Sequence, residues 1–307
     1  MGEKILIVTN TEDAHANVVE DRLAERSIEF ARLNSDNFAK PKATWVSMSD
    51  STFTFGEQQY LKGVSKVWYR KVYFPEGDSP TQSFIRQELQ GLFESVLDMY
   101  GHAVWVNNRS ALSRARLKLP QLEVAQKVGL LTPATIVTNC QSHLEDFYRV
   151  HGKQIVAKPI QAQVIGSGEN ACVVGTRTLT PEHFVAATEM TPCFAQEKLA
   201  IVAEYRVLVF GTRLFGFRLT PSVRVDDIKQ AELSQIRHEE WQVEAALGKK
   251  LLALVKQYGL LFAAIDLVET VNGNIVFLEL NPNGQWLWLQ YMTGVNLLDP
   301  FIDFLQE

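Results

Sequence analysis

Cysteine is scarce in this chain, and what there is forms no pattern. Among 307 residues only Cys140, Cys172 and Cys193 occur, an odd number without metal-ligand spacing. Free thiols in a reducing cytoplasm are therefore expected. The six histidines are scattered and make no H-x-x-H or H-E-x-x-H pattern, which argues against a zinc site. Positive charge is not in excess: a net charge of −5 argues against generic polyanion binding, and no nucleic-acid partner is expected. Long apolar runs are missing too. None approaches the roughly 20 residues of a membrane span, and the run from Ile5 to Val8 is too short for the core of a signal peptide. A cytoplasmic protein with no membrane partner is expected. A P-loop, G-x-x-x-x-G-K-[ST], is absent. The turn Thr9-Asn10-Thr11-Glu12 has no glycine pattern, which disfavours a dinucleotide there. There is no internal repeat and no low-complexity linker.

What is present describes an α/β protein. A hydrophobic share of 46% beside 21% charged residues, over 307 positions, suffices for one composite enzyme or two to three lobes. Residues 4–9 read as a strand buried on both faces. Helical spacing of Val18, Val19, Leu23 and Ala24 follows, then a second strand at 30–33, so the chain opens β-α-β. Strands at 43–46, 53–55 and 64–69, a helix at 84–100 and a strand at 104–106 complete a first lobe, 1–109. A central lobe, 110–193, begins with a short helix at 110–118. Pro120 opens the next helix and Gly129 stops it. A strand at 135–137, a helix at 144–151, and strands at 155–158 and 171–174 around Gly166-Ser167-Gly168 follow. The last lobe, 194–307, holds long strands at 205–210 and 214–219, a polar segment at 224–232 expected to be mobile, a helix at 239–258, and a final hairpin.

That hairpin carries the chemistry. Residues 261–271 alternate like a strand, and Asn272-Gly273 is a strong short hairpin signal. With those two as the central turn residues, Asp266 falls opposite Glu279; with Gly273-Asn274 it falls opposite Asn281. Glu279 and Asn281 are two apart on the second strand and so share a face. Directly opposed like charges are destabilising, and a bound cation reverses that sign. Oxygen ligands of this kind suit Mg²⁺. The competing reading is an ordinary hairpin with a solvated polar face.

Upstream, Lys158 ends an apolar strand just before the Gly166-Ser167-Gly168 loop. Glycines let loop N–H groups approach phosphate oxygens closely, although a turn beside a snorkelling lysine has the same appearance. Gln196-Glu197-Lys198-Leu199 joins two lobes as extended backbone able to pair with an adenine edge. Glu204 and Arg206 share one strand face, and Arg218 meets Arg206 only if the register allows. Two arginines beside a metal–phosphate centre would suit a carboxylate or acyl-phosphate clamp.

In this order the pieces resemble the ATP-grasp superfamily over nearly the whole chain. The resemblance rests on Lys118, Lys158, Gly166-Ser167-Gly168, Gln196-Glu197, Glu204-Tyr205-Arg206, Asp266 and Glu279-Leu280-Asn281. More narrowly, the chain is similar to microviridin-type maturases, the graspetide synthetases that crosslink ribosomal peptides. That closer likeness uses Val67-Trp68-Tyr69-Arg70-Lys71, Val106-Asn107-Asn108, Lys118-Leu119-Pro120-Gln121-Leu122, Thr132-Pro133-Ala134-Thr135 and Asn281-Pro282-Asn283-Gly284-Gln285-Trp286.

The resemblance implies an ATP-grasp fold: an N-terminal doubly wound β-α-β lobe, then central and C-terminal lobes clasping ATP. Lys118 and Lys158 would contact phosphates, with Gly166, Ser167 and Gly168 closing over them. Gln196, Glu197, Lys198 and Leu199 would hold adenine and Glu204 the ribose; Glu204 stands where Asp is common. Asp266, Glu279 and Asn281 would hold Mg²⁺, as a pair of ions, and Arg206 and Arg218 would stabilise the reacting carboxylate. The implied reaction phosphorylates a carboxylate with ATP and passes the acyl group to a hydroxyl or amine. The implied partner is a ribosomal precursor peptide with a leader and an acidic core, and a homodimer is an expectation of the same likeness. Residues 219–237, with Asp226, Asp227 and Lys229, are expected to help bind the leader. The alternatives are a ligase acting on a free amino acid, small peptide or protein tail, and a nucleotide-dependent peptide-docking protein without catalysis. Asn283-Gly284-Gln285-Trp286 has no evident part in binding a metal.

Overall fold

The computed structural model describes residues 4–36, 44–46, 53–55, 58–60, 63–74, 79–161, 164–165, 172–189, 191–221 and 235–307. Its first sheet is parallel, in the order β2-β1-β6-β7, from β1 (Lys4–Thr9), β2 (Phe30–Asn34), β6 (Val64–Tyr69) and β7 (Val104–Val106). Short strands β3 (Thr44–Val46), β4 (Phe53–Phe55) and β5 (Gln58–Tyr60) form a separate antiparallel ribbon. The unbroken apolar run of β1 follows from burial on two sides. Ile5 and Ile7 enter one core with α1 (Ala14–Glu25), while Leu6 and Val8 enter another with α2 (Pro80–Asp98). The second helix starts earlier than its apolar spacing predicts, because Ser79 caps it by accepting from the Gln82 N–H at 3.2 Å.

The central region runs α3 (Arg109–Ala115), α4 (Lys118–Lys127), β8 (Thr135–Thr138), α5 (Gln141–Val150), β9 (Ile155–Ala157), β10 (Val164–Ile165), β11 (Cys172–Val173), β12 (Arg177–Leu179), α6 (Phe184–Glu189) and β13 (Cys193–Glu197). Its antiparallel sheet has the order β12-β9-β13-β8. Lys118 belongs to the first turn of α4, not to the end of α3 as predicted, because α3 stops at Ala115. The loop Gly166-Ser167-Gly168 and residues 222–234, with Asp226, Asp227 and Lys229, lie outside the described residues.

The last region is a five-stranded antiparallel sheet, β16-β15-β14-β17-β18, with three helices. Its strands are β14 (Ile201–Phe210), β15 (Arg213–Pro221), β16 (Ile236–Trp241), β17 (Phe262–Thr270) and β18 (Ile275–Asn281); its helices are α7 (Ala245–Gln257), α8 (Leu287–Thr293) and α9 (Leu298–Gln306). The predicted helix over 239–258 is therefore corrected at its start: residues 239–241 are strand, paired with β15, and the helix begins at Ala245. Leu208, Phe210, Phe262 and Ala264 project from one face of this sheet into a core shared with Ile5, Val19, Trp286 and Phe301. Val207, Val209, Ala263 and Ile265 project from the other into a core with Leu122 of α4 and Leu251 of α7. At the rim of the first core, Arg22 of α1 and Arg26, which caps its C-terminus, reach Asp299 and Asp303 of α9, each at 2.7 Å.

The final hairpin holds two irregularities that cancel. Its loop is Val271-Asn272-Gly273, one residue longer than the expected two: the Thr270 N–H donates to the Asn274 carbonyl at 3.0 Å, and Gly273 takes φ +77°. Glu269 consequently faces Ile275 and Leu267 faces Phe277, one place off the predicted register. A bulge at Leu278 then restores it, and Asp266 faces Glu279. The bulge also explains why Phe277 and Leu280, three apart, both enter the α4–α7 core. Glu279 and Asn281 are left on the opposite face.

Candidate functional site

Strand register places the predicted residues directly. Arg206 on β14 faces Asp266 on β17, and Asp266 faces Glu279 on β18. Asn281 faces Ala264, two residues from Asp266, so Arg206, Asp266, Glu279 and Asn281 line one face. Glu204 joins them, two residues before Arg206. Arg206 Nε lies 2.5 Å from Asp266 Oδ1, both side chains largely buried, as an ion pair without well-aligned hydrogen-bond geometry. Arg218 is elsewhere. It faces Tyr205 in the ladder, so its side chain leaves the opposite face, 6.0 Å from the Tyr205 ring and 3.6 Å from Glu269. The register does not bring the two arginines into one clamp.

Two carboxylates in a directly opposed pair, with a carboxamide oxygen beside them, make a hard-donor set that fits Mg²⁺. Among the described residues no group of three or more His, Cys, Asp or Glu could hold a metal. Further oxygens would come from Asn281, from a bound phosphate and from water. Asn281 Oδ1 accepts the Asn283 N–H at 3.1 Å, which fixes the carboxamide at the strand end.

On the central sheet, Lys118 Nζ donates to the Pro159 carbonyl at 2.7 Å, so α4 brings this lysine to the segment that carries Lys158. Lys158 follows β9, and its N–H donates to the Phe194 carbonyl at 3.0 Å. Buried Gln196 donates from Nε2 to Thr135 at 3.0 Å. The N–H groups of Glu197 and Lys198 go to the carbonyls of Ala134 and Gln154, while Glu197 Oε1 accepts the Ala134 N–H at 2.8 Å. Among the described residues, the Leu199 N–H makes no backbone hydrogen bond, so it is the donor of this stretch open to a ligand edge. An open cleft of about 540 Å³ lies between α4 and β8, lined by Leu119, Leu122, Gln126, Thr132, Thr135 and Glu197 among others.

In the Asn-Gly-Gln-Trp tail, Gly284 and Trp286 are structural. Trp286 is fully buried among Phe210 and Phe301, its ring edge-on to His15 at 5.4 Å. A side chain on Gly284 would meet Ala264 Cβ at 2.5 Å, so only glycine allows the chain to pass so close to β17. Gln285 is exposed and has no evident packing role. Beside Trp286 lies a buried charged network. Arg70 pairs with Asp13 at 2.6 Å, both side chains 1% exposed, and Thr9 donates to Asp13 at 2.7 Å. Burial raises the Asp13 pKa, but Arg70 and Thr9 together outweigh it and hold the carboxyl at about 2. Burial first, then the Arg70 charge, pushes His15 down to about 3.

Known proteins repeat this arrangement of sheets. A solved structure of the macrocyclase MdnC from Microcystis aeruginosa MRC, bound to its precursor peptide MdnA, superposes with a TM-score of 0.82 at 25% identity, over 99% of this chain and 98% of that one. The chain has the ATP-grasp fold. A ligase of that fold associated with ribosomal peptides in Chryseobacterium gregarium, in complex with ADP and a leader and core peptide, gives a TM-score of 0.83 at 22% identity, over 99% of this chain and 95% of that one. The ATP-grasp ligase PsnB, with a minimal-precursor variant, Mg and ADP, gives 0.80 at 21% identity, over 98% and 97%. Curated relatives named "Probable alpha-L-glutamate ligase 1", from Shewanella species, are 22% identical over 210 residues; the match spans 66% of this chain and 66% of theirs. No family model matches. In this ATP-grasp chain no helix among the described residues is long and apolar enough to cross a membrane.

Proposed function

We propose that this chain is an ATP-dependent ligase that activates Asp or Glu side chains of a ribosomal precursor peptide and joins them to Ser or Thr hydroxyls or Lys amines. The observation that carries the reading is the directly opposed pair Asp266–Glu279, with Asn281 and the Arg206 guanidinium on the same face. The likeness to a macrocyclase solved with its precursor peptide, over almost the full length of both chains, supports the peptide as substrate.

In this reading Lys118, Lys158 and the loop Gly166-Ser167-Gly168 hold the ATP phosphates. Extended backbone at Gln196, Glu197, Lys198 and Leu199 meets adenine, with the Leu199 N–H as donor, and Glu204 meets the ribose. Asp266, Glu279 and Asn281 hold Mg²⁺, as two ions, which supplies charge neutralisation on the phosphates when bound. Arg206 faces the reacting carboxylate, and a carboxylate oxygen attacks the γ-phosphorus as ADP leaves. The hydroxyl or amine then attacks the acyl carbon, loses its proton and expels inorganic phosphate. Arg218, on the other face, would act only from a distance. The partner peptide carries a leader and an acidic core, the working species is a homodimer, and its compartment is the cytoplasm.

The test is mass spectrometry of an acid-rich precursor encoded beside this protein, incubated with the enzyme, ATP and Mg²⁺. Each new bond removes one water, and Glu279→Ala abolishes the loss. Unchanged mass across such precursors would refute the reading. The glutamate-ligase relatives favour a second one, a ligase acting on a free amino acid. ADP release with glutamate, but not with an acidic peptide, would select it.

A further inference from the structure

The segment bearing Glu279 and Asn281 is gripped by its backbone by three buried side chains from outside its sheet. None of the three has a part in the chemistry proposed above. Gln121, in the first turn of α4 and 3% exposed, donates from Nε2 to the Leu280 carbonyl and accepts the Leu280 N–H at Oε1, both at 2.8 Å. This copies one rung of a β-ladder on β18, the edge strand of its sheet. Asn107, just after β7, accepts from the Leu261 and Phe262 N–H groups at 2.7 and 3.0 Å and donates to the carbonyls of Phe262 and Pro282 at 2.8 and 2.7 Å. Every donor and acceptor place of that carboxamide is filled. His15, in the first turn of α1, accepts the N–H groups of Trp286 and Leu287 at Nε2, both at 3.0 Å. These lie at the start of α8, where helical N–H groups have no partner of their own.

The grips fall at 280, at 282 and at 286–287, on both sides of Asn281 and directly after Glu279. We propose that Gln121, Asn107 and His15 are positioning residues, which set where Glu279 and Asn281 stand by immobilising the backbone around them. Lys118 precedes Gln121 by three residues on the same helix, so the same grip fixes the phosphate lysine relative to the metal ligands. The inference rests on the ATP and Mg²⁺ reading for what these ligands bind, but the immobilisation stands apart from it.

Two measurements test it, using Gln121→Met, which keeps the length of the side chain and removes both bonds to Leu280. Amide hydrogen exchange on the ligand-free protein should quicken by about tenfold or more over residues 277–288 while β14 keeps its protection. Calorimetry of ADP binding across a Mg²⁺ series should show the Mg²⁺ needed for half-maximal binding raised by about 10- to 100-fold, the usual range for losing an outer support of a metal site. The same exchange on His15→Ala should quicken at 286–288, and His15→Gln, which returns an oxygen to those two N–H groups, should recover most of the protection. Unchanged local exchange, loss spread over the whole chain, or faster exchange with an unchanged Mg²⁺ requirement would each overturn the proposal. If the wild-type protein binds no nucleotide with Mg²⁺, the ATP reading falls, and the exchange measurements decide the positioning by themselves.

Discussion

His15 should make this protein lose stability in mild acid, over a window above that of its buried neighbour Asp13. The imidazole is 8% exposed and spends Nε2 on two N–H groups, so the folded state holds it neutral, with its pKa near 3 in place of 6.5. A depressed folded-state pKa gives stability that is fully present above the unfolded value and is lost as pH falls toward the folded one. In the unfolded chain this site goes from about a quarter protonated at pH 7 to nearly fully protonated at pH 5, while in the folded chain it stays essentially unprotonated. At ~1.36 kcal/mol per pH unit the loss is about 2 kcal/mol. Asp13, near 2 when folded against 3.8, contributes only below that window. The assay is urea unfolding at both pH values for wild type and His15→Gln, which keeps an acceptor and cannot titrate. Wild type should lose about 2 kcal/mol more than the variant. Parallel pH dependence in the two proteins, or an imidazole that titrates near 6.5 by NMR, would refute the account of the His15–Trp286 junction.

Other perturbations separate the roles assigned above. Gly284→Ala forces a methyl against Ala264 Cβ and should cost about 1–3 kcal/mol in thermal or urea melts. Arg70→Met leaves Asp13 buried without its cation and should cost about 3–5 kcal/mol, while Arg70→Met with Asp13→Leu should cost less; equal losses would remove the pair from consideration. Arg206→Met should lower kcat by about 10²-fold or more, whereas Arg218→Met, on the far face, should change it only a few-fold. Matching losses in a peptide-dependent ATPase assay would restore Arg218 to the centre.

Much of this arrangement was legible in the sequence, though not always for the right reason. The apolar run of β1 announces a strand covered on both faces, and of the two registers the hairpin signal allows, one sets Asp266 opposite Glu279. That register occurs because a longer loop and a bulge offset each other, and neither is visible in alternation alone. Residues 236–241, Ile-Arg-His-Glu-Glu-Trp, carry no strand pattern; they become β16 by pairing with β15. Whether Arg218 could reach Arg206 depended on ladder register between two strands, which composition does not encode. Gln121 and Asn107 sat inside segments singled out for their likeness to peptide maturases, but nothing local said that they would bond backbone groups 154 to 175 residues away. His15 gave no signal at all, since its partners lie 271 residues downstream.

The bulge at Leu278 bears on how such a site can arise. Without the extra residue, a strand keeping Phe277 in the core would also turn Glu279 inward and push Leu280 outward. One inserted residue inverts the remainder of the strand and delivers Glu279 and Asn281 to the face where Asp266 stands. A hydrophobic hairpin thus gains a face of opposed carboxylates through a single codon, with its turn and its core contacts before the insertion left as they were. The same arithmetic ties the site to the hairpin tip, because the pairing of Asp266 with Glu279 depends on the loop length and the bulge together.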